Sequence, residues 1–261
     1  TELLNNNIIE ESSSPFAAPV TLAFKKVEEG KPKEKIRMDV DFRDINKMLI
    51  PESQPFPLIE NMIVRTRDCS WFSALDINSA FWSIPIRMKD RFKTAFVTQE
   101  GHWQWRNLPF GLRNSPAIFQ RILSGELRKY KLEKFCVNYI DDILIFSKSF
   151  NEHIEHLRQL FNAIQAEGWK LKFVKCKFAS SSVSYLGHII ENNTVRPLRD
   201  NLISVKAFPR PSNRRNIRQF LGKINFYNKY IPKSAKKLEC FHCLLRKDVT
   251  FEWTEECEQT F

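Results

Sequence analysis

The sequence predicts an α+β fold, in which a body of mixed strands and helices over about residues 1–190 is followed by a smaller helical lobe. Strand-like and helix-like segments alternate irregularly as far as Pro197, and helical periodicity dominates afterwards. The composition is globular, with 43% hydrophobic and 27% charged residues among 261, and no internal repeat is found. No apolar run approaches the roughly 18 residues of a membrane span, so no membrane partner is expected.

Turn signals, proline and alternation predict the elements of the first 110 residues. A hairpin is indicated where an apolar, β-branched run is followed by a charged turn and an alternating run. Three prolines between residues 51 and 57 indicate an extended connector. In order, the predicted elements are a hairpin over 18–42, a short helix over 58–65, a strand over 72–77 and a hairpin over 92–97 and 102–106.

The rest of the chain is predicted to contain an amphipathic helix on each side of a hairpin with an acidic tip. A helix is expected over 115–130, with Ser115 as its cap. Two apolar runs in FCVNYIDDILIFS are separated only by Asp141 and Asp142, which is typical of a tight hairpin with two acids at its tip. The later predictions are a helix over 152–167, strands near 169–178 and 183–190, and helices over 198–207 and 213–230 with Ser212 as a cap.

Positive charge is concentrated in the helical lobe. The formal net charge is +11, and residues 201–238 contain ten Lys or Arg and no Asp or Glu. This distribution predicts contact with a polyanion such as nucleic acid, and a solvated basic face is the alternative. Because a helix presents only one side to a ligand, part of the closely spaced set Arg214, Arg215 and Arg218 is expected to share that face.

The six cysteines indicate a reducing, intracellular compartment, because nothing in their spacing suggests a disulfide framework. Cys240 and Cys243 have the spacing of half a zinc site. No second pair follows, and Cys257 alone would not supply the four ligands of a closed site, so structural zinc is not expected.

Three aspartates are the candidate catalytic groups. Asp141 and Asp142 lie between apolar strands, where burial of charge is costly unless a partner or a metal compensates it, although an exposed turn would also explain the pair. Asp76 lies within the predicted strand FSALDI, where turn chemistry does not explain it. Three carboxylates at one end of a sheet would suit Mg²⁺, and two such ions about 4 Å apart would assist an in-line displacement at phosphorus.

Basic and aromatic residues accompany these acids. Lys26 and Arg37 lie on opposite arms of the first predicted hairpin, where they would suit a triphosphate or a template backbone, or a salt-bridged strand face. Phe81 follows Asp76 by five residues, and core packing is the alternative to a role in the site.

Seven motifs in order carry a resemblance to reverse transcriptases: PFAAPVTLAFKK, IRMDVDFRDIN, FSALDINSAFWSIPI, TAFVTQEGHWQW, LPFGLRNSPAIFQ, YIDDILIFS and YLGHII. With FLGKINFYNKYI and FEWTEECEQTF, the chain most closely resembles the Pol polyproteins of gypsy-type LTR retrotransposons over essentially its whole length. The resemblance implies a right-hand polymerase with an antiparallel palm sheet and a helical thumb. It implies fingers over about 1–50 and 84–114, palm over 51–83 and 115–190, thumb over 191–245, and over 246–261 the start of a connection toward an RNase H domain.

The implied function is DNA synthesis on an RNA or DNA template from a primer 3′-OH, with dNTPs and two Mg²⁺ ions, for which Mn²⁺ could substitute. Phe81 disfavours an RNA-dependent RNA polymerase. The rival interpretation is a catalytically silent, domesticated copy that only binds nucleic acid. The resemblance also implies a cytoplasmic location within virus-like particles, with the protease, RNase H and integrase of a Pol polyprotein outside these residues.

The resemblance assigns roles residue by residue. Asp76, Asp141 and Asp142 would be the catalytic metal ligands, together with the backbone carbonyl of Ile77. The implied nucleotide-binding residues are Lys26, Arg37, Ser79, Ala80, Phe81, Phe110 and Ile140, with Phe81 excluding a 2′-OH and Ile140 touching the primer end. The implied template and primer contacts are Arg43, Asn46, Leu186, Gly187, His188, Arg214, Arg215 and Arg218.

Overall fold

The computed structural model describes residues 2–24, 36–192 and 194–261. Their contacts divide the chain into two compact units, one ending at Ser181 and the other beginning at Ser182. Strands and helices are mixed in the first unit, whereas the second combines a small sheet with several helices. The predicted α+β fold class is confirmed, and the division between the units comes earlier than the border expected near residue 190.

The first unit contains nine strands and six α-helices within the described ranges. The strands are β1 (Ile9–Glu11), β2 (Val20–Phe24), β3 (Ile36–Val40), β4 (Trp71–Asp76), β5 (Phe96–Thr98), β6 (Gly101–Trp105), β7 (Cys136–Tyr139), β8 (Asp142–Ser147) and β9 (Lys177–Ser180). The helices are α1 (Glu2–Asn5), α2 (Arg43–Met48), α3 (Ile59–Val64), α4 (Met88–Arg91), α5 (Ser115–Lys129) and α6 (Phe150–Ala166). Short 3₁₀ turns lie at Ala80–Ser83, Phe92–Thr94, Leu132–Lys134 and Phe173–Lys175.

An antiparallel sheet of four strands, in the order β7-β8-β4-β9, forms the centre of the first unit. Helices α5 and α6 pack against it, because each presents a stripe of apolar side chains at helical spacing. The buried cluster includes Leu75 and Ile143 from the strands, Phe119 from α5 and Leu160 from α6. Burial stabilises side chains of this size by about 1.5–3 kcal/mol each, so the sheet end that carries the acids rests on a packed core.

Both long helices begin where polar residues fix the backbone, but not as the sequence predicted. Helix α6 starts at Phe150, because Ser149 and Glu152 form a capping box. Ser115 was expected to cap α5, but it is the first helical residue, is buried, and donates its hydroxyl to the carbonyl of Pro109 at 2.9 Å. The segment predicted as a strand over 169–178 is mostly irregular, and only β9 continues the sheet.

Two smaller sheets complete the first unit. Strands β2 and β3 form the predicted hairpin, and β1, β6 and β5 form a three-stranded antiparallel sheet. A separate apolar cluster holds them together, with Ile9, Val40, Phe42, Phe96 and Trp105 at its centre. The β5–β6 hairpin overlaps the predicted segments, but β5 continues to Thr98, β6 begins at Gly101, and residues 92–94 form a 3₁₀ turn instead of the start of the first strand.

The second unit combines a three-stranded antiparallel sheet with five α-helices in the part of the chain that is described. The strands are β10 (Ser182–Tyr185), β11 (His188–Glu191) and β12 (Thr194–Pro197), in that order across the sheet. The helices are α7 (Arg199–Lys206), α8 (Arg214–Asn225), α9 (Ser234–Lys237), α10 (Glu239–Leu244) and α11 (Glu255–Thr260), with a 3₁₀ turn at Asn228–Tyr230.

Helix α8 differs from the prediction at both ends. Its cap is Asn213, whose side chain accepts the amide of Asn216 at 2.9 Å, rather than Ser212. The helix stops at Asn225 instead of continuing to 230, and a 3₁₀ turn follows. Its apolar face, including Ile217 and Phe220, packs into the core of the second unit and leaves the basic residues on the other faces.

The six cysteines are all free thiols. Within residues 2–24, 36–192 and 194–261, no helix has the length and apolar character needed to cross a membrane.

Candidate active site

The sheet register brings the three predicted acids to one end of the central sheet. Asp76, the last residue of β4, pairs with Asp142, the first residue of β8. Asp141 occupies the turn just before β8, and its carbonyl accepts the amide of Ile77 at 3.3 Å. Adjacent antiparallel strands place opposite residues about 5 Å apart, so acids separated by 65 residues in the chain become neighbours.

The acids lie close enough to change one another's ionisation. Burial, together with repulsion from Asp141 and Asp76, raises the pKa of Asp142 to about 6. Burial is also the main reason that the pKa of Asp141 is raised. Like charges in a partly buried cluster disfavour the ionised form, so a cation beside these carboxylates would be stabilising.

A lysine that the sequence argument did not identify supplies one such cation. Lys175 Nζ lies 2.7 Å from Asp76 Oδ2, and this hydrogen bond is the main cause of the raised pKa of Lys175. The 3₁₀ turn that carries Lys175 is tied to β4, because the amide of Lys172 donates to the carbonyl of Asp76 at 2.9 Å. In the sequence, the only indication of this contact is that a basic residue occurs in a segment predicted as a strand.

The donor set fits a divalent cation chemically. Carboxylate oxygens and a backbone carbonyl, here those of the three aspartates and Ile77, are the hard ligands that Mg²⁺ prefers. Across the described ranges, no three His, Cys, Asp or Glu side chains are grouped tightly enough to hold a metal as they stand. Binding would therefore require the carboxylates to turn toward a common point.

Aromatic residues flank the acids on the chain that follows β4. Ser79 has a left-handed backbone (φ 52°) and precedes the 3₁₀ turn Ala80–Ser83. Ala80 is buried, and Phe81 is the second residue of this turn. The Phe81 ring makes edge contacts with Phe110 and Phe119, at centroid distances of 4.9 and 5.6 Å. Phe81 is only partly buried, so the structure supports neither pure core packing nor a free surface ring.

The basic residues of the first unit that were predicted to contact nucleotide or template differ in their surroundings. Lys26 lies outside the described residues, and Arg37 lies on β3 opposite Ala23. The guanidinium of Arg43 is held by Asp41 at 2.6 Å, and this hydrogen bond is the main cause of the lowered pKa of Asp41.

Asn46 makes a structural contact that sequence reasoning did not foresee. Its amide donates to the carbonyl of Gly111 at 2.9 Å, and its oxygen accepts the amide of Arg113 at 2.8 Å. Asn46 therefore fixes the loop after Phe110, and this use of the side chain is not visible from its position in RDIN.

In the second unit, Leu186 and Gly187 form the turn between β10 and β11, both with positive φ (46° and 79°). His188 is buried, with 1% of its surface exposed, and stacks on Phe226 with ring centroids 5.1 Å apart. The hydroxyl of Tyr230 lies 3.3 Å from its Nδ1. His188 thus packs within this unit, and the adjacent turn is the part that could reach a ligand.

The three arginines at the start of α8 differ in their surroundings. Arg214 donates to the backbone carbonyls of Leu244, at 3.1 Å, and of Val249. Arg215 and Arg218 are exposed. Only part of this set was expected to share a face, and the Arg214 guanidinium joins α8 to the end of α10 and the chain that follows it.

The chain is similar in sequence to known proteins. Residues 25–190 match the family described as reverse transcriptase (RNA-dependent DNA polymerase). The chain is 35% identical over 234 residues to the retrovirus-related Pol polyprotein from transposon 297 of Drosophila melanogaster, covering 90% of this chain and 22% of that protein. It is 35% identical over 251 residues to the transposon Tf2-3 polyprotein of Schizosaccharomyces pombe, covering 96% and 18%.

Two solved structures show the same fold. The foamy viral protease-reverse transcriptase in complex with double-stranded DNA matches with a TM-score of 0.87 at 22% identity, over 99% of this chain and 44% of that one. The same viral protein with an RNA/DNA hybrid matches with a TM-score of 0.79 at 21% identity, over 99% and 34%. The implied polymerase fold is confirmed.

The chain belongs to the reverse transcriptase family of RNA-dependent DNA polymerases. Within that family it corresponds to the reverse transcriptase domain of LTR-retrotransposon Pol polyproteins. It spans about a fifth of the length of the two polyproteins compared, 22% and 18%.

Proposed function

We propose that this chain synthesises DNA on an RNA or DNA template by adding dNTPs to a primer 3′-OH, as the polymerase of a gypsy-type Pol polyprotein. The observation that carries the proposal is the pairing of Asp76 with Asp142 beside the turn at Asp141. The order of the seven motifs also supports it. The solved foamy viral relatives were bound to double-stranded DNA and to an RNA/DNA hybrid, which are the product and substrate classes expected here.

The three aspartates and the Ile77 carbonyl would hold two Mg²⁺ ions, with Mn²⁺ as a substitute. Such ions lower the pKa of the attacking hydroxyl and stabilise the leaving pyrophosphate. In this proposal the backbone amides of Ser79 and Ala80 face the triphosphate, and Lys26 and Arg37 bind its outer phosphates. Phe81 lies beneath the sugar and excludes a 2′-OH, while Phe110, its edge-on neighbour, lines the same site.

Nucleic acid would be bound outside the acidic site. We propose that Arg43 and Asn46 lie near the template, that the turn at Leu186 and Gly187 supports the primer, and that Arg215 and Arg218 bind phosphates of the duplex. Arg214 would contribute by holding α8 in place. These contacts are sequence-independent, because they go to the backbone rather than to base edges.

The proposal places the polymerase subdomains as the motifs imply, with fingers over 1–50 and 84–114, palm over 51–83 and 115–190, and thumb over 191–245. Residues 246–261 would begin a connection toward RNase H. The compared relatives are polyproteins much longer than this chain, which supports a place for it within a Pol polyprotein. The proposal includes work in cytoplasmic virus-like particles.

Primer extension tests the activity directly. The chain is incubated with a DNA primer on an RNA template, dNTPs and Mg²⁺, beside an Asp76→Asn variant. We expect templated extension by the wild type and loss on the order of 10²-fold or more in the variant, since an electrostatic stabiliser of the transition state is removed. Binding without any extension by the wild type would instead support the silent, nucleic-acid-binding copy.

A further inference from the structure

The turn between β7 and β8, which carries Asp141, has an unusual backbone. Tyr139 pairs with Asp142, so Ile140 and Asp141 form a two-residue hairpin loop. Such loops favour turns whose first central residue has a positive φ, a position that Gly or Asn usually occupies. Here the position holds Ile140, with φ 54°. A β-branched residue in this region is a genuine outlier that the surroundings must enforce.

Helix α5 supplies the side chain that enforces it. Gln120 is buried, with 2% of its surface exposed, and its Oε1 accepts the amide of Ile140 at 2.6 Å. Its Nε2 donates to the carbonyl of Asn138 at 3.3 Å and to the hydroxyl of Ser124 at 2.9 Å. Both ends of the Gln120 amide are therefore satisfied, which fixes the side chain in one orientation.

Asn138, on β7, supplies the remaining hydrogen bonds to the turn. Its Nδ2 donates to the carbonyl of Ile140 at 3.4 Å, and its Oδ1 accepts the hydroxyl of Ser124 at 2.9 Å. Both backbone polar groups of Ile140 are thus held by side chains in a buried network. Networks of this kind rigidify a site when every member is satisfied.

We propose that Gln120 is a positioning residue for the polymerase reaction, which holds Ile140 in the left-handed conformation and so fixes Asp141 and Asp142 relative to Asp76. This inference rests on the proposed function. If Ile140 touches the primer end, its side chain is needed there, although glycine would be less strained at this position. The hydrogen bond to Gln120 keeps the turn ordered in spite of that strain. Gln120 itself acts through the turn and contacts no substrate.

A double-mutant cycle with Ile140→Gly tests the inference, because glycine adopts a positive φ without strain. Gln120→Met removes the hydrogen bonds and keeps a similar volume. In the Ile140 background, we expect it to lower kcat for dNTP incorporation by about 10²-fold, as small misplacements of catalytic groups do, with little change in primer–template Kd. In the Ile140→Gly background, the same change should cost less than about 3-fold.

Two further variants keep the test decisive. Gln120→Asn preserves the amide but is one carbon too short to reach Ile140, so it should lower kcat as Gln120→Met does. It replaces Gln120→Met in the test if that variant fails to fold. Gln165→Met makes the matched change at an exposed position of α6 and should leave kcat unchanged. Equal losses from the Gln120 change in both backgrounds, or no loss in either, would overturn the inference. If the wild type extends no primer at all, the proposed function fails instead.

Discussion

The acidic site depends on how single charges are compensated. Asp76 is mostly buried and Lys175 is about half exposed, with side-chain exposures of 15% and 56% and a separation of 2.7 Å. The ammonium thus approaches the cluster from its solvent side, where it offsets part of the repulsion among the three acids. A divalent cation at the same carboxylates would take over this role.

Lys175→Met should make the stability of the chain more dependent on divalent cations. In EDTA we expect the free energy of unfolding to fall by about 1 kcal/mol or less, because the lost ion pair is partly exposed. A cation that binds only the folded state adds stability by mass action, so Mg²⁺ should raise Tm more in the variant than in the wild type. Thermal unfolding with EDTA and with Mg²⁺ measures the difference. Lys170→Met, an exposed control in the same segment, should respond like the wild type.

Phe81→Val should relax the choice of sugar. The ring is fixed edge-on against Phe110 and Phe119, and in the proposed site it occupies the space that a 2′-OH requires. We expect the ratio of rNTP to dNTP incorporation to rise while dNTP use is partly retained. Single-nucleotide incorporation with matched rNTPs and dNTPs measures the ratio. If it stays at the wild-type value, Phe81 serves only in packing.

At the scale of elements, a buried polar network joins α6 to the central sheet. His153, which has no exposed surface, lies 2.7 Å from the hydroxyl of Ser73 on β4 and 2.7 Å from that of Ser147 on β8. Burial, followed by the neighbouring His156, lowers the pKa of His153 from 6.5 to about 4. The neutral imidazole therefore belongs to the folded state.

The network predicts a loss of stability in mild acid. Because the pKa of His153 is lower in the folded chain than in the unfolded chain, the unfolded state binds more protons below pH 6.5. The contribution of His153 to the free energy of unfolding should be level above that pH and fall by about 3 kcal/mol as pH decreases toward 4, whereas the raised pKa of Asp142 contributes in the opposite direction. Urea unfolding across this range measures it. His153→Gln should flatten the dependence, and His242→Gln, at an exposed position, should retain it.

The neighbouring arginines at the start of α8 are expected to affect different properties, binding for Arg215 and Arg218 and stability for Arg214. Arg215→Gln with Arg218→Gln removes two exposed charges and should weaken binding to all primer–templates alike. The log–log slope of affinity against salt should fall by roughly 0.7–0.9 per lost phosphate contact. Fluorescence anisotropy over a salt series measures the slope. An unchanged slope would mean that this basic run is a solvated face.

Arg214→Gln should act on stability instead. Its guanidinium donates to the carbonyls of Leu244 and Val249, and loss of such bonds leaves partly buried acceptors without their partner. We expect a loss of about 1–3 kcal/mol in the free energy of unfolding, measured by chemical denaturation, with the salt slope retained. A slope reduced as much as in the double variant would contradict this assignment.

Local patterns predicted most elements but not their boundaries. The hairpins β2–β3 and β7–β8, and helices α5 and α6, follow from alternation and helical spacing. The start of α8 was misplaced by one residue because Ser212 and Asn213 are both good caps, and only the folded backbone selects Asn213.

The site was predictable where its residues carry an unusual local signal. Asp76 within an apolar strand and the paired acids at a hairpin tip are such signals. Lys175, Gln120 and Asn46 carry none, because their roles arise from contacts with chain 20 to 99 residues away. Arg214 has the sequence surroundings of a surface arginine, and only the packing of the second unit reveals the carbonyls it binds.

At the scale of the whole molecule, the concentrated positive charge and the candidate catalytic acids lie in different units. The three acids belong to the first unit, and the cation-rich segment 201–238 belongs to the second. The proposed function therefore predicts that binding of primer–template and incorporation of nucleotide can be lost independently.

The central claim is that Asp141 and Asp142 perform chemistry on a primer that other residues bind. The most direct test is single-turnover dNTP incorporation on a preformed complex, with the affinity for primer–template measured in parallel. The double variant Asp141→Asn, Asp142→Asn should bind within a few-fold of the wild type and incorporate no nucleotide. Incorporation at the wild-type rate by that variant would contradict the account.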